Sequence, residues 1–483
     1  MKEKLYKLTK EHWLPLTLIL GLSVGFILLF SHSTSPLSWY YDGTDASIPV
    51  TISRGWYYKI IPYKDLFTSN GPWMYWLGSI GIGFVHGNKS GIIIPQIINM
   101  FFFLLSVYCL TQLTTKNKVY ACMVLFLTIV FLKTNYPDGM YTEEFLLPWI
   151  GWSYYFVFFY FKNHKWNLFK SLFFGISLGV TVMCNMNGII AFIPILFVYF
   201  YFIYQRQWKL LLKNLILLCI GMIIIIVPFI LYFYHQGCLN EFIYDVFQYK
   251  EDSFYTGTKT TYYYKILFSY RFPIFASFFA SIFYCFKKRY IYGLIMIVLC
   301  IVECLFFFHM DFSTYLSMFT VINIVFLCNS IFLLLPLKNH PKTTMILCIT
   351  ISFISFYQMY LKDFPQAISI VESYGIYHNE GWEGLVDNIP SEDYDKIVIY
   401  GGKNMTNAYL LTNAMPCYKY FCLQDKVAKN DESIKEKIID TFSTDQAKWI
   451  LTDSNTETIQ DILDSDYVLY DQTSIYSLYQ RKS

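Results

Sequence analysis

The sequence predicts an α-helical, polytopic membrane protein with about eleven transmembrane helices and a small water-soluble α/β domain at its C-terminal end. Of its 483 residues, 55% are hydrophobic and only 15% are charged, and the mean hydropathy is +0.39. The apolar residues collect in runs long enough to cross about 30 Å of hydrocarbon. The chain becomes polar from Lys362 onward. We therefore expect a transmembrane module over residues 1–361 and a soluble domain over residues 362–483.

Eleven apolar runs are each about long enough to form a membrane helix. They cover residues 14–30, 91–111, 119–133, 145–161, 168–184, 188–204, 210–234, 266–286, 290–308, 315–336 and 343–361. The first run follows a Lys-rich start, and no small-residue cleavage site comes after it, so we expect it to stay in place as the first membrane helix. The 43 Tyr and 45 Phe residues gather near the ends of such runs, where aromatic rings favour the lipid headgroups.

A twelfth apolar stretch, residues 73–85, is shorter and contains three glycines. If it does not cross, all the basic clusters between spans lie on the same side as the Lys-rich N-terminus, as the positive-inside rule requires. These clusters are Lys116/Lys118, Lys162/Lys165, Arg206/Lys209, Lys287/Lys288/Arg289 and Lys338/Lys342. We therefore predict that residues 73–85 lie in the outer interface or re-enter from it.

This topology predicts a multi-pass protein of the plasma membrane with a cytoplasmic N-terminus. The outer loop over residues 31–90, which carries the interfacial helices, then faces outward with residues 134–144 and 235–265, and the C-terminal domain is extracytoplasmic. Lipids are the expected surroundings of the module. The net charge of +3 is small, and its distribution suggests no nucleic-acid partner.

The C-terminal domain shows short strand-like and helical stretches. Strands are expected at residues 396–400, 449–452 and 474–479, and helices at residues 405–412 and 431–442. The cysteines of the chain show no metal-binding pattern. Cys417 and Cys422 are the two in this domain, and the sequence leaves open whether they form a disulfide or remain free thiols.

The first outer loop is dense in acidic, basic and aromatic residues, which a passive connector does not need. It reads WYYDGTDASIPVTISRGWYYKIIPYKDLFTSNGPWMYW, and irregular segments of this length are usually functional. Asp42 and Asp45 lie three positions apart. They are candidates for chemistry at the membrane surface, and the alternative is that Asp42 forms a turn with Gly43 while Asp45 caps a helix.

Further polar candidates lie where other spans meet the outer face. Glu143 and Glu144 begin a predicted helix, whose dipole accounts for one carboxylate, and two adjacent ones suggest substrate or cation binding. Asp138 follows Pro137 in a sequence typical of a turn. Asn185 and Asn187 interrupt the apolar pattern and suit either a turn or a hydroxyl-rich ligand. Glu303 lies within a span, where it is either functional or extended toward water near His309 and Asp311.

The first loop resembles that of GT-C superfamily membrane glycosyltransferases. Within this superfamily, it is most similar to the family 39, protein-mannosyltransferase-like bacterial branch. The elements that carry the resemblance are Asp45, Gly55, Pro62-Tyr63, Asp65-Leu66-Phe67 and Gly71-Pro72. The sequence TEEFLLP at 142–148 is similar to the second acidic motif of the family, and Asn187 to a later polar position. Two positions differ, because relatives often carry basic residues where this chain has Asn70 and Asn185.

The resemblance implies an inverting hexosyl or pentosyl transferase. It would move a sugar from a polyprenyl-phosphate donor to a glycan or lipid acceptor at the outer face, in the assembly of the cell envelope. The first-loop aspartate of the family corresponds to Asp45, and a carboxylate there suits general-base catalysis. Substrate contacts are expected from Asp42, Arg54, Lys59, Tyr63, Lys64, Asp65, Glu143, Glu144 and Asn187. The sequence identifies no cofactor with certainty, and it leaves open a divalent cation at Glu143 and Glu144.

Two other classes of function compete with this interpretation. A transporter or flippase for a lipid-linked glycan needs polar residues along a path through the membrane, and the spans contain few besides Glu303. A non-catalytic membrane scaffold whose outer domain binds a partner leaves the charged first loop without a purpose. The sequence therefore favours the glycosyltransferase.

Overall fold

The structure is a computed structural model, and it describes most of the chain. The described ranges are residues 2–37, 44–133, 136, 139–249, 271–309, 315–335, 341–357, 382–401, 406–411, 414–422, 424–443, 447–453 and 456–482. For some residues within helices, Thr44 and Asp45 among them, the backbone alone is described. The candidates Asp42, Asp138 and Asp311 lie outside the described residues.

Fourteen helices are described in the transmembrane module. They are α1 (Lys2–Phe30), α2 (Thr44–Tyr57), α3 (Trp73–Phe84), α4 (Ile93–Thr115), α5 (Lys118–Lys133), α6 (Thr142–Asn163), α7 (Leu168–Val182), α8 (Pro194–Tyr204), α9 (Trp208–His235), α10 (Leu239–Ile243), α11 (Arg271–Phe286), α12 (Tyr290–His309), α13 (Tyr315–Leu334) and α14 (Pro341–Phe356). Short 3₁₀ segments precede α4 (Lys89–Ile92) and α8 (Met186–Phe192), and a π turn follows α10 (Tyr244–Gln248).

Each of the eleven predicted apolar runs overlaps one of these helices. Within the described residues, three helical stretches are long and apolar enough to cross a membrane: Trp13–Phe30, Lys89–Thr115 and Trp208–His235. A fourth is possible if Met186–Phe192 and Pro194–Tyr204, which meet at an angle of 51°, form one broken span. The protein is thus helical with apolar, membrane-length segments, and the total of eleven crossings stays a prediction.

Helix α3 is too short to cross the hydrocarbon core by itself. Its 12 residues span about 18 Å at 1.5 Å per residue, against about 30 Å of hydrocarbon. It packs along α2, where Gly78 leaves no room for a side chain beside Ser53. The chain then turns back through close contact of Gly81 with Gly91 and enters α4. The interfacial placement of α3 stays a prediction.

Basic residues, Lys116 and Lys162, lie at the C-terminal ends of α4 and α6. Both helices end on a residue in the left-handed conformation, Lys116 (φ 57°) and His164 (φ 51°), a common way for a helix to stop. Lys162 donates to the Leu113 carbonyl and so ties the two ends together. Since α4 has 23 residues, this end lies about 34 Å from Ile93 at its start.

Helices α7 and α9 cross with their backbones in contact. A side chain at Gly175 would overlap the Leu218 carbonyl oxygen, and one at Gly221 would overlap the Leu172 carbonyl oxygen. Small residues on both helices permit this approach, as in many membrane helix pairs.

A polar cluster joins three helices farther along the module. The fully buried Glu303 carboxylate on α12 accepts hydrogen bonds from Asn323 Nδ2 at 2.6 Å and from Ser277 Oγ at 3.2 Å. These partners lie on α13 and α11. Glu303 thus connects helices inside the bundle and does not extend toward water.

The C-terminal domain contains a four-stranded sheet. Its elements are α15 (Glu383–Val386), β1 (Ile397–Tyr400), α16 (Asn407–Leu411), α17 (Gln424–Asn430), α18 (Glu432–Ser443), β2 (Trp449–Thr452), α19 (Gln460–Asp466), β3 (Tyr467–Gln472) and β4 (Ser477–Arg481). The strand order is β1-β2-β4-β3, with β1 parallel to β2 and the other pairs antiparallel. Among the described residues no disulfide joins Cys417 and Cys422, and Cys417 Sγ donates to the Ile397 carbonyl at 3.8 Å.

We expect Gly221→Ala to destabilise the module by about 1–3 kcal/mol, because the added methyl group forces α9 away from α7. The matched control is Gly21→Ala on α1, where no heavy atom lies within 4 Å of the added Cβ. Thermal unfolding in detergent should show a lower midpoint for Gly221→Ala alone. Equal midpoints for the two variants would contradict the close helix crossing.

Candidate functional site

The first loop is held against the turn that follows α7 by two main-chain hydrogen bonds. The Gly71 N–H donates to the Cys184 carbonyl at 3.0 Å, and the Trp73 N–H donates to the Met183 carbonyl at 2.8 Å. A Cβ atom at Gly71 would overlap the Met183 carbonyl group. Glycine is therefore required at this position of the Gly71-Pro72 motif, and Pro72 directly precedes α3.

A group of polar side chains lies beside this junction, and we call it the Glu143 site: Thr142, Glu143, Asn185 and Asn187. Glu143 is only 3% exposed, and Asn185 Nδ2 donates to its Oε1 at 3.2 Å and to Thr142 Oγ1 at 3.1 Å. Asn185 Oδ1 accepts from the Asn187 N–H at 3.1 Å and starts the 3₁₀ segment. The turn therefore orients its amide toward a buried carboxylate.

Glu144 is directed to a different set of partners. Its carboxylate is fully buried and accepts from Tyr136 Oη at 2.8 Å, from the Met140 N–H at 2.9 Å and from Gln96 Nε2 at 3.2 Å. Gln96 Oε1 in turn accepts from Thr34 Oγ1 at 2.6 Å. This network links the start of the first loop, α4 and α6. Glu144 is thus a satisfied structural carboxylate, and the helix dipole favours it further.

Gln96 was not predicted as a site residue from the sequence. It is fully buried within an apolar helix, and a polar residue in such a run is a recognised signal of a functional or bridging role.

Asp45 is the second residue of α2. The helix is fixed near this end by Ser47, whose hydroxyl hydrogen-bonds the Thr406 hydroxyl of the C-terminal domain at 2.6 Å. A carboxylate in the first turn of a helix is favoured by the helix dipole. The backbone of α2 therefore holds the principal candidate at a fixed place, while its catalytic role stays a prediction.

Arg54, near the other end of α2, is used to attach the C-terminal domain. It is 4% exposed, and its guanidinium donates to the carbonyls of Tyr409 at 3.1 Å and Ala414 at 3.0 Å. Lys89 Nζ donates to the Leu410 carbonyl at 3.1 Å. Burial lowers the pKa of Arg54. Both cations lie at the C-terminal end of α16, where the helix dipole favours positive charge.

The remaining first-loop candidates divide into two kinds. Tyr63 is fully buried, its hydroxyl donates to the Asn70 carbonyl at 2.7 Å, and burial raises its pKa. Asp65 accepts from the Ile61 N–H at 2.7 Å and so closes a tight turn. Lys59 and Lys64 are exposed, and Lys64 Nζ lies 3.4 Å from the Gln236 carbonyl. The two lysines are therefore accessible cations, whereas Tyr63 and Asp65 shape the loop.

A divalent cation finds no suitable set of ligands among the described side chains. No group of three or more His, Cys, Asp or Glu residues among them is arranged to hold a metal ion. Glu144 already accepts from neutral donors at both carboxylate oxygens. The pair proposed from the sequence thus does not fit a cation, since Glu143 and Glu144 face different partners.

We expect Glu144→Gln to lower stability by about 1–3 kcal/mol, because the new amide group opposes the donors that surround it. In Glu143→Gln, the side-chain carbonyl can still accept from Asn185, so its midpoint of thermal unfolding should stay near that of the wild type. The two adjacent, isosteric substitutions control for each other. If both variants unfold at the same temperature, the division of roles between the two carboxylates is refuted.

Comparison with known proteins agrees with this architecture. The sequence model of the dolichyl-phosphate-mannose-protein mannosyltransferase family matches residues 69–233, a range that includes the Gly71 junction and the Glu143 site. No curated protein sequence matches the chain.

Two solved structures are similar to the chain over almost its whole length. ArnT from Cupriavidus metallidurans bound to undecaprenyl phosphate matches with a TM-score of 0.59 and 12% identity, over 96% of this chain and 97% of that chain. The same protein in the apo state matches with a TM-score of 0.58 and 13% identity, over 98% of each chain. The resemblance to GT-C glycosyltransferases is confirmed, and the chain shares their fold.

Proposed function

We propose that this protein is a membrane glycosyltransferase that moves a sugar from a polyprenyl-phosphate donor to a glycan or lipid acceptor at the outer face of the membrane. The fold match to ArnT carries the proposal, since it covers 96% of this chain and 97% of that chain. That structure is bound to undecaprenyl phosphate. A related lipid phosphate is the donor carrier we propose here.

The arrangement of α2 supports a catalytic role for Asp45. Contacts to Thr406 near one end and to Tyr409 and Ala414 near the other hold the helix rigidly. A general base must be held within hydrogen-bond reach of the hydroxyl that it deprotonates. In our proposal the Asp45 carboxylate accepts the acceptor's proton while the acceptor oxygen attacks the anomeric carbon, and the lipid phosphate leaves from the opposite face, so the configuration inverts.

The departing phosphate needs positive charge or hydrogen-bond donors. Arg54 and Lys89 are held by carbonyls of the C-terminal domain. Lys59 is exposed, and the exposed Lys64 donates only a long hydrogen bond of 3.4 Å to the Gln236 carbonyl, so we assign phosphate binding to these two lysines. The positions where relatives often carry basic residues, Asn70 and Asn185, supply amides in this chain. Amides bind hydroxyl groups well and phosphate less strongly than cations do. We therefore place the sugar, and not the phosphate, beside the Glu143 site.

Replacing Asp45 with Asn should reduce transfer by about 10²–10⁴-fold, because the amide cannot accept the proton. The matched control is Asp440→Asn on the exposed face of α18. Each variant would be expressed in a deletion strain, and surface glycans would be measured by mass spectrometry. A folded Asp45→Asn protein that restores the glycan fully would exclude the catalytic role.

The outer placement of the site can be tested by cysteine labelling on intact cells. Lys116→Cys, at the far end of α4, should resist a membrane-impermeant maleimide, whereas Glu436→Cys on α18 should react. The reason is that α4 is about 34 Å long, so its two ends are expected on opposite sides of the membrane. Labelling of Lys116→Cys from outside would reverse the topology and move residues 73–85 into a crossing position.

A further inference from the structure

A cleft of about 450 Å³ lies between the transmembrane module and the C-terminal domain. One wall is formed by α10 and the π turn after it, and the other by residues 419–420 and the start of α18. The lining includes Glu241, Tyr244, Asp245, Lys419, Tyr420 and Lys437. Its volume falls within the range of small-molecule sites.

The floor of the cleft is built from buried groups. Asp245 is 2% exposed and Tyr420 is 6% exposed, and Lys419 Nζ lies 3.0 Å from Asp245 Oδ2. Burial raises the pKa of Asp245 to about 6 in spite of this ion pair. Burying a charged pair costs desolvation free energy that the pair itself regains only in part. Such a pair is expected where it serves recognition or fixes the orientation of two parts.

The rim offers groups of several kinds to a ligand. Glu241, Tyr244 and Lys437 are exposed, and Tyr244 Oη donates to Asp431 Oδ2 at 2.7 Å. The lining as a whole has three carboxylates and two ammonium groups, so neither sign of charge dominates. Aromatic faces among mixed donors and acceptors suit a neutral ligand rich in hydroxyl groups. They do not suit a phosphate or a polycation.

The cleft is also connected to the first loop. The Phe67 N–H donates to the Lys419 carbonyl at 2.8 Å, and the Phe67 ring contacts the rings of Tyr420 and Tyr249 with centroids 5.5 and 5.1 Å apart. Phe67 lies four residues before Gly71, which contacts the turn of the Glu143 site. A molecule in the cleft would thus lie beside the loop that holds the proposed catalytic residues.

We propose that this cleft binds the carbohydrate part of the acceptor, as a neutral saccharide held between Tyr244, Glu241 and Lys437 above the Asp245–Lys419 pair. The inference rests on the proposed function, since it names where the acceptor is held. It assigns α10 and the start of α18 to acceptor recognition and leaves donor binding to the membrane side of the first loop.

The test uses the full-length protein in nanodiscs and three neutral trisaccharides: maltotriose, cellotriose and chitotriose. Saturation-transfer NMR at millimolar sugar should detect binding of at least one of them. Glu241→Gln and Lys437→Ala should each weaken that binding by about tenfold, the effect of losing roughly one charge-assisted hydrogen bond. Glu436→Gln, an exposed carboxylate on α18 outside the lining, is the matched control and should bind as the wild type does.

Three results would overturn the inference: no binding of any of the three sugars, equal binding by all variants, or displacement of the sugar by inorganic phosphate. Undecaprenyl phosphate binding, measured by native mass spectrometry on the same preparation, separates the two proposals. If the lipid binds and no sugar does, the acceptor cleft alone is refuted. If the lipid does not bind and Asp45→Asn is fully active, the glycosyltransferase proposal itself is refuted.

Discussion

The two hydrogen bonds from Gly71 and Trp73 to the turn after α7 fix the first loop, and the remaining parts of the site depend on this attachment. They start α3 at a defined place. Helix α2 then packs along α3 at Gly78, and the C-terminal domain packs on α2 through Arg54. The long first loop thereby becomes a rigid part of the molecule. Main-chain bonds suit this purpose, since they form only when the backbones come very close.

The charges that are buried or partly buried at these junctions form hydrogen bonds with neutral groups. Arg54 and Lys89 donate to carbonyls at the end of α16, and Glu144 accepts from a hydroxyl, an amide and a backbone N–H. An unsatisfied buried charge would cost several kcal/mol, so these groups require the C-terminal domain, α4 and α6 to be in place together. The charges specify one arrangement of the parts, and they leave the exposed Lys59 and Lys64 available for ligands.

Much of the secondary structure follows from the sequence because its causes are local. The apolar runs coincide with helices, and the strands at 397–400 and 449–452 match hydrophobic runs that are buried on both faces. Strand β3 was missed, since Tyr467–Gln472 has a mostly exposed pattern and pairs only with β4 at the edge of the sheet. The predicted strand at 474–479 is also displaced, to 477–481. Edge strands gain their pairing from distant residues, which a local pattern does not contain.

The predicted site residues show the same limit for side chains. The sequence placed Glu143 and Glu144 together because they are neighbours, but successive helical residues point about 100° apart. One carboxylate therefore faces the turn after α7, and the other faces α4. Charged residues beside a membrane indicate that a loop is important. Only the hydrogen-bond partners of each charged side chain show whether it binds the protein or a ligand. By that criterion Arg54 and Glu144 support the scaffold, and Glu143 lies at the one junction where the loop, α6 and the turn after α7 meet.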